Sequence, residues 1–187
     1  MGETTGTKSI VHFQISSPDL IERASKIDGL IVNMTPLWAN TVTAEEVDPV
    51  ADRKDTYGLF AEAADAGITI NFGADSNGPE VCWDPATMIL ISMIRDPEEG
   101  GIFLKGEPFS FEEAVNAYTI NVARERRIDD EYGSIEVGKS ADFVIWNVEG
   151  FTTDLYNAQI WSLAMEEDTA VHADQVYFKG ELVYLHK

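Results

Sequence analysis

Three short β-branched runs constrain this chain most: SIVHF (9–13), LIVNM (30–34) and ITINF (68–72). Each is too short for a helix and too continuously apolar for a strand with one wet face, so each reads as a buried strand. Helical segments separate them. Ser17-Pro18-Asp19 opens one, with Leu20, Ile21, Ala24 and Ile27 at helical spacing and Gly29 as its stop. TYGLFAEAADAG (56–67) reads as a second, stopped by Gly67, while the mixed stretch 35–54 reads as a loop following Pro36. Strand, helix, strand, helix, strand is the repeat of an α/β protein with parallel strands.

The next two helices are read over WDPATMILISMIRD (83–96), with Asp84 as a cap, and from a Ser110-Phe111-Glu112-Glu113 capping box to about Arg124. Beyond residue 128 the character changes. GSIEVGK (133–139) is turn-rich, SADFVIWNV (140–148) is strand-like, and QVYFKGELVYL (175–185) is a hairpin around Lys179-Gly180. The expected division is therefore an α/β part, residues 1–127, and a β part, residues 128–187.

With 33 acidic against 13 basic residues the formal charge is −20, spread along the chain rather than gathered in a tail. That field repels phosphates and argues against nucleic-acid binding. No apolar run is long enough to span a membrane, and MGETTGTKS lacks the apolar core of a secretion signal. The lone cysteine, Cys82, excludes an internal disulfide and reads as a packed residue in a reducing, cytoplasmic setting.

Parallel α/β sheets gather functional groups where their strands end. His12 closes the first strand run, and Asp75 follows the third at Gly73-Ala74-Asp75. Imidazole and carboxylate are both ligands for zinc-like ions, and a carboxylate beside a metal-bound water can take its proton. The residues also permit plainer roles: a hydrogen-bonded histidine in a strand, and an aspartate that orders a turn. His172 and His186 fall in the β part and read as surface residues. Asp142 reads as a turn former, and Trp38, Trp83, Trp146 and Trp161 read as packing residues.

Five blocks, in order, resemble the C-terminal part of a metal-dependent amidohydrolase of the amidohydrolase-3 (YtcJ-like) branch. They are HFQISSPDLIERASKIDGLIVNMTPLW, AADAGITINFGADSNGPE, SFEEAVNAYTINVAR, GSIEVGKSADFVIWN and VYFKGELVY. The resemblance implies the last three strands of a (β/α) barrel followed by part of a small β-sandwich domain. It implies that His12 and Asp75 bind metal and that Asp75 shuttles the proton of the attacking water. The implied reaction is hydrolysis of an amide-type carbon–nitrogen bond in a small molecule, with a divalent metal such as zinc in the full-length enzyme. The departures bear on activity. The His-x-His pair that opens such barrels does not occur in this sequence, and about three of the eight barrel strands are present. The expectation is a segment that is inactive, and binds zinc weakly or not at all, without its missing N-terminal half. Three strands also leave sheet edges open, which favours that half or self-association as the partner. The alternative is a non-catalytic remnant serving as a binding or regulatory partner, since some relatives carry the label of exoenzyme regulatory protein.

Overall fold

A computed structural model describes residues 6–36, 56–73, 85–93, 106–148 and 171–187. Its first sheet is wholly parallel, in the order β1 (Lys8–Val11), β2 (Leu30–Met34), β3 (Thr69–Phe72). Helix α1 (Pro18–Ser25) crosses from β1 to β2, and α2 (Phe60–Asp65) precedes β3. The local chemistry explains their ends. Pro18 occupies the first turn of α1, where a missing N–H costs nothing, and Gly29 turns the chain into β2 at φ 67°. Gly67 ends α2 at φ 87°, with its N–H on Ala64 O and the Ile68 N–H reaching back to Ala63 O. Those two bonds satisfy carbonyls that the helix leaves open.

One face of the sheet carries Leu30, Val32, Met34, Ile70 and Phe72, all buried. It packs against Ile21 and Ala24 of α1, Phe60 and Ala63 of α2, and the helices α3 (Pro85–Met93) and α4 (Phe111–Tyr118). Phe72 is the hub of an aromatic cluster, its ring 5.6 Å from Phe109, 6.1 Å from Tyr118 and 6.3 Å from Phe60. Residues 86–92 of α3 are buried on every side, as a helix apolar all round must be.

The second sheet is antiparallel: β4 (Phe143–Trp146), β5 (Ala173–Phe178) and β6 (Glu181–Leu185). Lys179 and Gly180 both have positive φ, 52° and 80°, the requirement of a two-residue hairpin whose twist matches its strands. Asp142 accepts the Lys179 N–H at 2.6 Å, so it pins this hairpin rather than a turn of its own. Phe143 stacks on Tyr177 at 4.5 Å. Trp146 and Val148 lean on the main core, joined by the buried Val171.

Several boundaries depart from the sequence reading. The first strand stops at Val11, because His12 adopts φ 61° and cannot continue it. The helix expected from residue 56 starts at Phe60. Before it, Tyr57 forms an antiparallel bridge with Ile15, and Gly58 donates to Gln14 O at 2.7 Å. The helix expected to run from Ser110 to Arg124 is two helices. Thr119, at φ −122° and ψ −92°, separates α4 from α5 (Ile120–Arg126). The capping box at Ser110 and Glu113 is formed in both directions. Residues 37–55, which hold most of the expected loop, lie outside the described residues, as do Trp38, Cys82, Trp83, Asp84 and Trp161.

Candidate active site at the strand ends

Because β1, β2 and β3 are parallel, their C-terminal ends lie on one side of the molecule. The ladder runs one residue past each outer strand: the His12 N–H donates to Asn33 O at 3.0 Å, and the Gly73 N–H to Met34 O at 2.9 Å. His12, Asn33 and Gly73 are thereby neighbours across the sheet. The His12 side chain is exposed at this rim, and its left-handed backbone is uncommon for a residue with a Cβ. Strained dihedrals cluster at functional sites when the surroundings impose them.

Asn33, inside the apolar run LIVNM, carries no signal of its own in the sequence. Its amide lies against Gly73 so closely that an added Cβ there would sit 3.1 Å from both Asn33 Nδ2 and Oδ1. The glycine keeps the amide at the rim, two residues before Asp75. Asp75 itself lies outside the described residues, so His12 is the placed member of the predicted pair. Nearby in sequence, Thr35 Oγ1 and Gln14 Oε1 are buried without a hydrogen-bond partner. Among the residues after β1, burial pushes the Tyr57 phenol up to about 12. In the small sheet, His172 and His186 stack at 4.0 Å, with Asp174 3.4 Å from His172 Nε2.

The other face of the parallel sheet is polar along one row. Register places Asn33 beside Asn71, with Val11 on the far side of Asn33, and one row below run Ser9, Ile31 and Thr69. Helix α5 straps this face. Glu125 accepts from Ser9 Oγ at 2.5 Å and from Asn71 Nδ2 at 2.7 Å, so one carboxylate joins β1 to β3 across β2. Asn121, one turn earlier, donates to Ile70 O at 2.8 Å, and Arg127 donates to Thr7 Oγ1 at 3.0 Å. Asn71 is fully buried and its Oδ1 has no partner.

The sequence matches the amidohydrolase family over residues 2–184. This chain belongs to the amidohydrolase family. Among its relatives, the imidazolonepropionase of Bacteroides thetaiotaomicron is 30% identical over 129 residues, covering 69% of this chain and 26% of that protein. The imidazolonepropionase of Streptococcus pyogenes is 30% identical over 154 residues, covering 82% of this chain and 30% of the other. The chain thus spans between a quarter and a third of the length of these relatives. Solved amidohydrolase-type structures share its fold. Escherichia coli guanine deaminase has a TM-score of 0.61 at 18% identity, covering 98% of this chain and 40% of that one. A zinc-bound adenosine deaminase from Xanthomonas campestris also gives 0.61 at 18% identity, covering 95% and 37%.

A zinc-like ion needs at least three protein ligands as a rule. Among the described residues no group of three or more histidine, cysteine, aspartate or glutamate side chains could hold one. The described rim therefore fits a metal in donor type, through His12, but not in donor number. No helix of the described residues is long and apolar enough to cross a membrane.

Proposed function

We propose that this chain is the C-terminal segment of a metal-dependent amidohydrolase that cleaves amide-type carbon–nitrogen bonds of small molecules, and that it is inactive without the N-terminal half. In this reading residues 1–127 supply the last three strands of a (β/α)₈ barrel and residues 128–187 part of a small β-sandwich domain. The observation that carries it is the strained, exposed His12 at the end of a parallel strand, in a chain of this family that spans only part of its relatives. His12 and Asp75 contribute two metal ligands, and the missing half contributes the rest.

A bound divalent ion, zinc in the first instance, supplies Lewis-acid activation of the carbonyl and of water. The chain's own part is proton management. Asp75 accepts the proton of the attacking water and returns it to the leaving nitrogen, so the bond breaks without expelling an amide anion. A cyclic amide-type substrate, as the name imidazolonepropionase indicates for two relatives, is the first class to assay.

The test has two stages. Calorimetric titration of the purified chain with zinc should give a dissociation constant weaker than micromolar, since two ligands fall short of a site. Fusing the chain to the N-terminal barrel portion of a relative should restore metal-dependent hydrolysis, and Asp75→Asn should abolish it. A folded fusion that binds zinc without hydrolysing any amide would overturn the assignment. That outcome would favour the non-catalytic reading, in which the segment serves as a binding partner; the short ligand count is what keeps that reading in view.

A further inference from the structure

Between the end of β1 and the start of α1 the chain is held at two points that differ in direction. At His12 it still belongs to the parallel ladder, with its N–H on Asn33 O at 3.0 Å. At Ile15 it pairs antiparallel with Tyr57: the Gly58 N–H donates to Gln14 O at 2.7 Å, and the Ser16 N–H to Thr56 O at 3.0 Å. Those two bonds flank the pair, as in the widely spaced ring of an antiparallel ladder. Between these anchors the backbone leaves one partner segment for another, and the change of direction falls at His12, at φ 61°.

The second anchor is the firm one. Ser16 is 1% exposed and Gln14 7%, whereas His12 is exposed. Ser16 Oγ donates to Phe13 O at 2.5 Å and closes the turn that follows the histidine. Across the bridge Tyr57 is 6% exposed, and the Phe60 N–H returns to Gly58 O at 2.8 Å, which ties the bridge to α2 and its fully buried Phe60. Gly58 permits this at φ 72°, where a side chain would be strained. Two costs mark the segment as imposed from outside. A residue with a Cβ at φ near +60° is disfavoured, and Gln14 Oε1 is buried without a partner, an acceptor desolvated with no replacement. Neither would persist in a segment free to relax.

We propose that Ser16 and Gly58 are positioning residues for His12: the bridge they close imposes its left-handed backbone, and so sets where the imidazole stands at the strand ends. The purpose of this rests on the hydrolase reading, in which that imidazole binds metal. The mechanical coupling does not, and it is measurable in the chain without metal.

Urea unfolding of the full chain compares glycine with alanine at position 12, with Ser16 intact and with Ser16→Ala. With Ser16 intact, His12→Gly should have a midpoint roughly 0.5 M above that of His12→Ala. With Ser16→Ala the gap should fall to about half or less, because a loosened bridge lets the alanine leave the left-handed region. A Ser16 that served stability alone would lower both variants equally, and an unchanged gap would overturn the proposal. Coupling runs in both directions. The Ser16 and Gly58 amides should therefore exchange about fivefold more slowly in His12→Gly than in His12→Ala. Should Ser16→Ala not fold, this exchange decides, and equal rates in the two variants would overturn the proposal. In the fusion to an N-terminal barrel half, Ser16→Ala and Gly58→Ala should each weaken zinc binding about tenfold or more. Unchanged affinity in a fusion that binds zinc would overturn the positioning role. A fusion that binds no zinc, while the gap still closes, would count against the hydrolase reading and support the coupling.

Discussion

Replacing His12 with glycine should relieve backbone strain, and the structure says by how much. A residue with a Cβ held at φ near +60° carries roughly 1–2 kcal/mol of strain, and His12 stands at 61°. Glycine removes that strain but gives back roughly 0.5–1 kcal/mol through the freedom of its unfolded chain. The His12 side chain is exposed, so little apolar burial is lost, and the backbone bond to Asn33 O survives any substitution. The backbone alone favours His12→Gly by about 0.5–1 kcal/mol, from which the loss of whatever contact the imidazole makes is subtracted. Alanine keeps the strain, so His12→Ala should be about 1 kcal/mol less stable than His12→Gly. Any contact of the imidazole is lost equally in both variants, so their difference isolates the backbone. Urea unfolding at neutral pH resolves it, since with a slope of about 2 kcal/mol per molar the midpoints should differ by roughly 0.5 M. If alanine proves as stable as glycine, His12 is not strained and the backbone argument for a functional rim collapses. In the fusion to an N-terminal barrel half, a stabilised glycine variant that has lost zinc binding would be the signature of a residue kept for chemistry at the expense of stability.

Two further outcomes follow from the packing. Phe72→Ala removes the hub of the aromatic cluster at 4% exposure and should cost about 3–5 kcal/mol in urea unfolding; Phe178→Ala, 53% exposed, should cost less than about 1. A loss below about 1.5 kcal/mol at Phe72 would mean that the cluster is looser than its ring distances imply. The second concerns Tyr57. Its phenol titrates near 10 in an unfolded chain and is raised to about 12 in the fold by burial. The folded state therefore holds the proton longer, and the associated stability is complete below pH 10 and lost as pH rises toward 12. The loss should be on the order of 2 kcal/mol. Tyr57→Phe should unfold like wild type at pH 7 and show an alkaline decline smaller by that amount; an equal decline in both would assign it elsewhere.

Much of the architecture was legible because it rests on local rules. The runs LIVNM and ITINF, the glycines at 29 and 67, the capping box at Ser110 and the Lys179-Gly180 turn each specify their own geometry and are met, whereas SIVHF, expected buried, forms an exposed strand because it lies at the sheet's edge. What escaped was non-local. Nothing in TYGLFAEAADAG announces that Tyr57 will pair with Ile15, some forty positions earlier, and so delay the helix to Phe60. The break at Thr119 is equally silent, because an alanine-rich amphipathic pattern continues through it. At the rim, His12 stood out by its residue type, whereas Asn33 and Asn71 did not. Yet LIVNM and ITINF each carry one asparagine at the penultimate place, and aligning the two runs puts those amides side by side, as the register does. The Asn121 and Glu125 pair was visible only as a helical spacing; that it would face the sheet depends on where α5 packs.

The small sheet is assembled from two very unequal connections. β5 and β6 are joined by two residues, Lys179 and Gly180, whereas β4 must wait for the whole stretch from residue 147 to 172 before its neighbour exists. A tight hairpin closes in microseconds, whereas bringing β4 to β5 joins points much farther apart along the unfolded chain, an entropy that must be met before any β4 contact repays it. The β5–β6 ribbon should therefore form early and act as the template onto which β4 later zips, so that substitutions at Lys179 or Gly180 slow folding while those in β4 chiefly hasten unfolding.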